Sequence, residues 1–165
     1  MRSVPNYANY AEGVARGLAY AGVGMLCGGV LVLIADIATR RTLGLSILGT
    51  IDLTQLAVMG CVYLAMPLAF LRGAHVSVEF ITDALPAPLA RACRLSAALL
   101  SVLLLAALAW YSLGQARIGL AQGDRSVTLG IPMVLYWAPL LVGLAGSALA
   151  AIVVFARELA PKEAG

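Results

Sequence analysis

Four stretches of this chain lack any Asp, Glu, Lys, Arg or His, and each is long enough to cross a bilayer. They cover 19, 19, 22 and 31 residues, at 17–35, 53–71, 95–116 and 126–156. A spanning helix needs roughly 20 mostly apolar residues. Because lipid offers no partner to unpaired backbone groups, such segments form helices. The pattern predicts four transmembrane helices, with spans at about 17–37, 52–71, 92–116 and 132–156.

The composition agrees with this pattern. Apolar residues make up 62% of the chain and the mean hydropathy is +0.95, whereas a soluble domain is about 45–50% apolar. The 165 residues accommodate four spans and short connectors. The fold class predicted is an all-α integral membrane protein, with residues 1–165 forming a single four-helix membrane domain. The net charge of +3 is small and its basic residues cluster at helix ends, so we expect no nucleic-acid partner.

The connectors differ in character. The segment 40–49 is short and contains two glycines, which indicates a tight turn. The segment 73–88 is longer, and Val78, Ile81 and Leu85 recur there at helical spacing. Two interpretations of this second connector stay open. It forms either a short amphipathic helix at the membrane interface or an irregular loop whose apolar residues touch the helix ends.

Prolines mark the last span. Pro132 is expected in the first turn of the fourth helix, where the missing N–H costs nothing. Pro139 is expected to kink that helix or to lie near its outer end.

The distribution of Lys and Arg predicts the orientation. Seven lie at the N-terminus, in the second connector or at the C-terminus, and four lie in the first and third connectors. Cytoplasmic segments carry the excess of positive charge. We therefore expect both termini in the cytoplasm of a bacterial cell, with the chain in the inner membrane.

The spans also lack the groups that chemistry or transport requires. A carrier or proton pump normally has ionisable side chains near the bilayer centre, and the four windows contain none; the polar Gln55 lies near an interface. His75 is the single histidine, and the three cysteines form no CxxC pair or Cys/His cluster. The sequence therefore predicts no catalytic residue, cofactor or metal site, and the chain is not expected to be an enzyme.

Small residues recur along the predicted helices at a spacing of four. Such rows let helix backbones approach closely, either within one bundle or between partners. The first span has Gly24 and Gly28, the fourth has Gly143 and Ser147, and the second has a row of four, namely Ala57, Cys61, Ala65 and Ala69.

Charged residues collect at the helix ends on the predicted outer side. Asp36 and Arg40 have the favourable i,i+4 order, and Asp52 lies where it complements a helix dipole. Each residue could simply cap its helix at the interface. The alternative hypothesis is an outward polar rim that docks a partner, formed by Arg40, Arg41, Asp52, Arg117, Asp124 and Arg125.

Several short motifs occur in a fixed order over roughly residues 36–140. They are Asp36-Ile-Ala-Thr-Arg40-Arg41, Gly49-Thr-Ile-Asp52-Leu, Ala69-Phe-Leu-Arg72-Gly73-Ala74-His75-Val76-Ser77-Val78-Glu79, Leu85-Pro86, and Ser126-Val-Thr-Leu-Gly-Ile131-Pro132 with Tyr136, Trp137 and Pro139. Together they resemble the DctQ-like small membrane subunit of tripartite ATP-independent periplasmic (TRAP) transporters. The motif residues that carry the likeness are Asp36, Arg72, Gly73, His75, Pro86 and Pro132. The family more often has Glu at the position of Asp52, a change that keeps the charge.

The resemblance implies a role without chemistry. In this family the small subunit pairs with a large permease subunit that binds sodium and moves an organic anion, and a soluble periplasmic protein delivers the substrate. The small subunit acts as a membrane scaffold and helps to dock that protein. The expected partners are therefore the large permease, the periplasmic substrate-binding protein and membrane lipid.

Two alternatives share the four-helix design. The small subunit of a tripartite tricarboxylate transporter is the nearer one, and the Arg72-Gly-Ala-His75-Val and Ile131-Pro132 segments favour the TRAP interpretation over it. A self-contained small multidrug exporter would need a membrane-embedded carboxylate in the first span, which contains none.

Overall fold

The computed structural model describes residues 6–72, 86–126 and 128–159. They form four helices: α1 is Asn6–Leu43, α2 is Thr50–Leu71, α3 is Ala87–Gln122 and α4 is Val134–Leu159. All four are long and apolar enough to cross a membrane. The predicted all-α membrane fold with four spanning helices is confirmed. The interfacial helix considered for the second connector, Gly73 and His75 all lie outside the described residues.

The four helices pack side by side in the order α1, α2, α4, α3. The neighbouring pairs α1–α2, α2–α4 and α3–α4 make extensive contact. In the described part of the chain, α1 touches α4 only slightly, and α3 packs on α4 alone. The two outer helices therefore leave most of their surface open to lipid or to a partner.

The core lies along α4. Leu140, Leu144 and Ala151 from α4 cluster with Leu105 from α3. Partly buried side chains of α2, among them Met59 and Tyr63, pack against this cluster. The hydrophobic effect does not drive helices together in lipid, where packing, hydrogen bonds and small residues do so. Because α4 contacts both α2 and α3, its small residues determine how closely the helices of the array can pack.

The contact between α1 and α2 depends on two glycines that face α2. Gly22 approaches the backbone of Cys61, and a Cβ there would lie 3.1 Å from its Cα. Gly29, two turns further on, lies directly against the Cβ of Ala57. The predicted pair Gly24 and Gly28 has open space around it within this chain. The pair therefore makes no close contact within the described residues, and its role in helix packing stays a prediction.

Only part of the predicted row of small residues in α2 contacts a neighbouring helix. Ala57 is buried and Cys61 is half-buried, both beside α1, whereas Ala65 is half-buried and Ala69 is exposed. On the other side of α2, Pro67 is fully buried and lies against Gly146 of α4. The second helix therefore packs small residues against both neighbours.

Pro132 does not begin the last helix. It lies two residues before α4, in an isolated antiparallel bridge with Arg125. Its carbonyl accepts the amide of Leu135 at 3.0 Å, so the proline belongs to the connector and caps the first turn from outside. Pro139 lies inside α4, five residues after its first residue, and the predicted kink stays a prediction.

The Gly29–Ala57 contact can be tested by one substitution that destabilises the protein and a second that restores the space. Gly29→Ala places a second methyl against the methyl of Ala57, and overpacking costs about 1–3 kcal/mol of stability. Adding Ala57→Gly returns the space, so the double variant should recover a large part of that loss when SDS-induced unfolding is followed. Gly28→Ala, one residue away in open space, should be neutral or stabilising because Ala is the better helix former. Equal losses at positions 28 and 29 would contradict the packing.

Candidate functional site

The connectors 44–49 and 123–133 meet at one end of the helix array. We call these two segments, with the helix ends that carry them, the loop cap. The side chain of Leu129, in the second of these segments, lies over Gly49, at the end of the first. Gly49 has a φ of 86°, a left-handed conformation that favours glycine. A side chain at position 49 would be strained and would also collide with Leu129.

Asp36 organises the first connector. Its side chain is only 4% exposed, and it accepts hydrogen bonds from the amide of Ile47 at 2.7 Å and the hydroxyl of Ser46 at 3.2 Å. Arg40 Nη2 donates to Asp36 Oδ2 at 2.8 Å and to Ser46 Oγ at 2.9 Å. The predicted i,i+4 pair is confirmed. The structure adds that this pair folds the connector back onto the end of α1.

The described residues of the third connector, 123–126 and 128–133, form a compact hairpin-like turn. Gly123 ends α3 in a left-handed conformation, with a φ of 68°. The amide of Ser126 donates to Ile131 O at 2.8 Å, and the amide of Met133 donates to Asp124 O at 3.0 Å. These bonds flank the bridge between Arg125 and Pro132 and satisfy backbone groups at the membrane edge.

Asp52 joins the two halves of the cap. It lies in the first turn of α2 and is 7% exposed. Its Oδ2 accepts the hydroxyl of Ser126 and the amide of Leu129, the latter at 3.0 Å. The Tyr136 hydroxyl donates to the Asp52 carbonyl at 3.2 Å. The helix-dipole position predicted for Asp52 is confirmed, and its side chain is directed into the other connector, so it has little surface to offer a partner.

The rest of the predicted rim is exposed and predominantly basic. Arg40 keeps 63% of its side chain exposed despite its ion pair. Arg41, Arg117, Asp124 and Arg125 are exposed as well, and Arg125 Nη1 makes a long bond to Gly130 O at 3.4 Å. With Asp36 and Asp52 buried, the exposed charges of the cap are four arginines against one aspartate. The exposed charge of this surface is therefore mainly positive rather than mixed.

Other sequence predictions fall away from the cap. Pro86 precedes α3 and accepts the amides of Leu89 and Ala90, and Arg72 ends α2 at the opposite end of the array. The described residues contain no group of three His, Cys, Asp or Glu side chains able to hold a metal ion. Sequence reasoning missed Ser126, Leu129 and Tyr136 as partners of Asp52. Ser126 and Tyr136 were visible only as motif residues, because their contacts span more than 70 residues of chain.

Removal of the Asp52 carboxylate tests how the cap is held. In Asp52→Ala the Ser126 hydroxyl loses its acceptor and the Leu129 amide keeps only a long bond to Ser126 Oγ at 3.4 Å, and the loss of a partner costs a buried polar group about 1–3 kcal/mol. We expect lower stability in detergent and faster proteolysis within 123–133. The matched control is Asp124→Ala, an exposed carboxylate in the same cap, which should stay within about 0.5 kcal/mol of the parent. If both variants behave alike, Asp52 does not hold the connector.

Comparison with known proteins assigns the family. The model of the DctQ component of tripartite ATP-independent periplasmic transporters matches residues 29–160. No curated protein matches the chain. The matched region contains both connectors of the loop cap and the whole of α2, α3 and α4, and it includes α1 from residue 29 onward. Since the match covers most of the sequence, the chain belongs to the DctQ family, the small membrane component of TRAP transporters.

Proposed function

We propose that this small TRAP subunit is a scaffold for a large permease subunit and helps to dock the periplasmic substrate-binding protein. The transporter would be a sodium-coupled symporter that takes up an organic anion. The loop cap is the observation that carries the docking part. Two buried carboxylates hold its connectors in fixed positions, and four arginines remain exposed around them.

The position of the buried charges supports a scaffold rather than a carrier. Within the described residues, the buried charged side chains are Asp36 and Asp52, and both serve the loop cap. Transport pathways place ionisable or broken-helix groups near the bilayer centre. The described parts of the helices have the small-residue packing of a structural element instead. This distribution argues against an enzyme and against a self-contained exporter. The family match argues against an exporter and against a tricarboxylate-transporter subunit.

The outer helices are suited to hold a large partner. Both α1 and α3 contact a single main neighbour, and their outward surfaces carry large exposed apolar side chains, including Trp110 and Tyr111 of α3. These surfaces would face lipid or the permease. Gly24 and Gly28 add a strip of α1 where a partner helix could approach closely.

The orientation follows from the Lys and Arg count. With both termini in the cytoplasm of the bacterial cell, the loop cap lies on the periplasmic side of the inner membrane. A reporter fused after Arg157 should then be cytoplasmic, and one inserted near Gly44 should be periplasmic. An alkaline phosphatase that is active at the C-terminus would reverse the assignment and remove the cap from the binding protein's compartment.

Reconstitution tests the division of labour. Liposomes that contain this chain alone should take up no organic anion and dissipate no sodium gradient. The chain together with its large subunit and the binding protein should support sodium-dependent uptake, and omission of any one of the three should abolish it. The tagged chain should also co-purify with the large subunit from its native membrane. Uptake by this chain alone would refute the scaffold proposal.

A further inference from the structure

A groove of about 670 Å³ opens between α1 and α2, directly beside the loop cap. Its charged residues, Asp36 and Arg40, lie at the cap, and the deep end is formed by Leu33, Val58 and Met59, with the uncharged polar Thr54 and Gln55 between the two ends. The lining residues that matter for the argument are Leu33, Asp36, Arg40, Ile51, Val58 and Thr128. The groove is open along one side, where Ile51 is 76% exposed. Because α1 and α2 are spanning helices, this open side faces lipid or another membrane protein.

The polar end of the groove offers a guanidinium with free donors. All hydrogen bonds of Arg40 within the described structure leave from Nη2, and its side chain is 63% exposed. Asp36 is turned inward, since three donors engage it and it is 4% exposed. Arg41 adds a second exposed positive charge at the next position. A guanidinium fork binds phosphate, as it binds carboxylate, through two parallel hydrogen bonds, and phosphate is the anion that membrane lipids supply.

The apolar end has the length of part of an acyl chain. Leu33 precedes Arg40 by seven residues on α1, which corresponds to about 10 Å along the helix axis. Val58 lies at a similar depth on α2, eight residues beyond Thr50. A ligand that fits this gradient has an anionic head at Arg40 and a flexible apolar tail below it.

We propose that this groove binds one membrane glycerophospholipid, with its phosphate at Arg40 and an acyl chain along Leu33 and Val58. The exposed guanidinium of Arg40 at one end of the groove favours an anionic headgroup over an apolar helix of the large subunit. Thr128 at the rim belongs to the connector that Asp52 holds. The bound lipid would therefore contact both connectors and fasten the loop cap to the bilayer.

Native mass spectrometry of the purified full chain tests the site. Phosphatidylglycerol, phosphatidylethanolamine and a diacylglycerol of the same chain length are added separately. The two phospholipids should bind with one tight site and the diacylglycerol, which lacks the phosphate, should not. Arg40→Gln should weaken that site at least tenfold. The matched control is Arg117→Gln, which removes the same charge from the same cap but does not line the groove.

A second variant keeps the test decisive if Arg40→Gln fails to fold without its ion pair. Val58→Trp fills the apolar end of the groove and leaves Arg40 and Asp36 untouched, and it should also weaken the tight site at least tenfold. Phospholipid binding by Val58→Trp at the parental affinity would overturn the proposal. So would an equal loss in Arg117→Gln, which would indicate general attraction to charge. Cross-linking of a cysteine at position 58 to the large subunit in the assembled complex would assign the groove to protein instead.

Discussion

Gly143→Val is expected to separate α4 from α2 and to leave little folded protein. A Cβ at position 143 would fall on the carbonyl group of Tyr63 and 2.8 Å from its Cβ. Pro67 has no amide to donate to Tyr63, four residues earlier, so this carbonyl has no helical hydrogen-bond partner. Because glycine has no Cβ, Gly143 leaves room for this carbonyl group. Valine must push the helices apart, because backbone atoms cannot rotate away as a side chain can.

The loss should exceed the 1–3 kcal/mol of ordinary overpacking, since α4 contacts both α2 and α3 and its displacement loosens the whole array. Thermal loss of the monodisperse peak in size-exclusion chromatography gives the measurement. Gly114→Val on α3 is the control, because position 114 faces open space. A Gly143→Val protein that melts with the parent would show that the two helices do not approach as closely as described.

The fold was largely predictable because its main signal is local. Each charge-free window is longer than a bilayer requires, and lipid leaves helices as the available backbone form. The helix ends were harder to predict. α1 extends from Asn6 to Leu43, well beyond the uncharged window, because Glu12 and Arg16 pair across one turn without interrupting the helix. Hydropathy defines the part of a helix in lipid, not where its hydrogen bonds stop.

Helix rotation could not be predicted from spacing. The GxxxG pair Gly24 and Gly28 and the used pair Gly22 and Gly29 lie on different sides of the same helix. Both sides are apolar, so no polar face indicates which one meets α2. In a soluble bundle the hydrophobic stripe would decide this question. In a membrane the answer depends on three-dimensional fit, and Gly29 fits Ala57.

The candidate site was predictable in its members but not in its connections. The arginines and aspartates at the helix ends could be grouped from the sequence, since alternate connectors of a four-span protein share a side. The sequence could not predict in which direction each carboxylate side chain points. Asp36 is bound within eleven residues of its position, whereas Asp52 is bound 74 residues away by Ser126. The burial of Asp52 changes the expected character of the surface from mixed to basic.

Reversal of two exposed arginines should reduce transport strongly without disturbing assembly. Arg41→Glu combined with Arg117→Glu changes the charge of the cap by four units, and neither side chain makes a hydrogen bond or ion pair in the described structure. Arg40 belongs to the same rim, but its reversal would also place a carboxylate beside buried Asp36. Electrostatic steering raises association rates by about 10 to 1,000-fold. We therefore expect uptake per assembled complex to fall at least tenfold when the binding protein is limiting.

The salt dependence separates docking from membrane anchoring. Exposed charges are screened over about 8 Å at physiological ionic strength, so parental uptake should fall as salt rises, and the double reversal should have lost most of that dependence. Arg41→Lys with Arg117→Lys keeps the charge and should retain most of the activity. If these arginines only anchor helix ends at the headgroups, reversal would lower the amount of inserted complex and leave uptake per complex unchanged. Unchanged uptake at normal assembly would end the docking hypothesis for this surface. A large loss that a saturating concentration of binding protein restores would locate the defect in the encounter itself, as a steering surface requires.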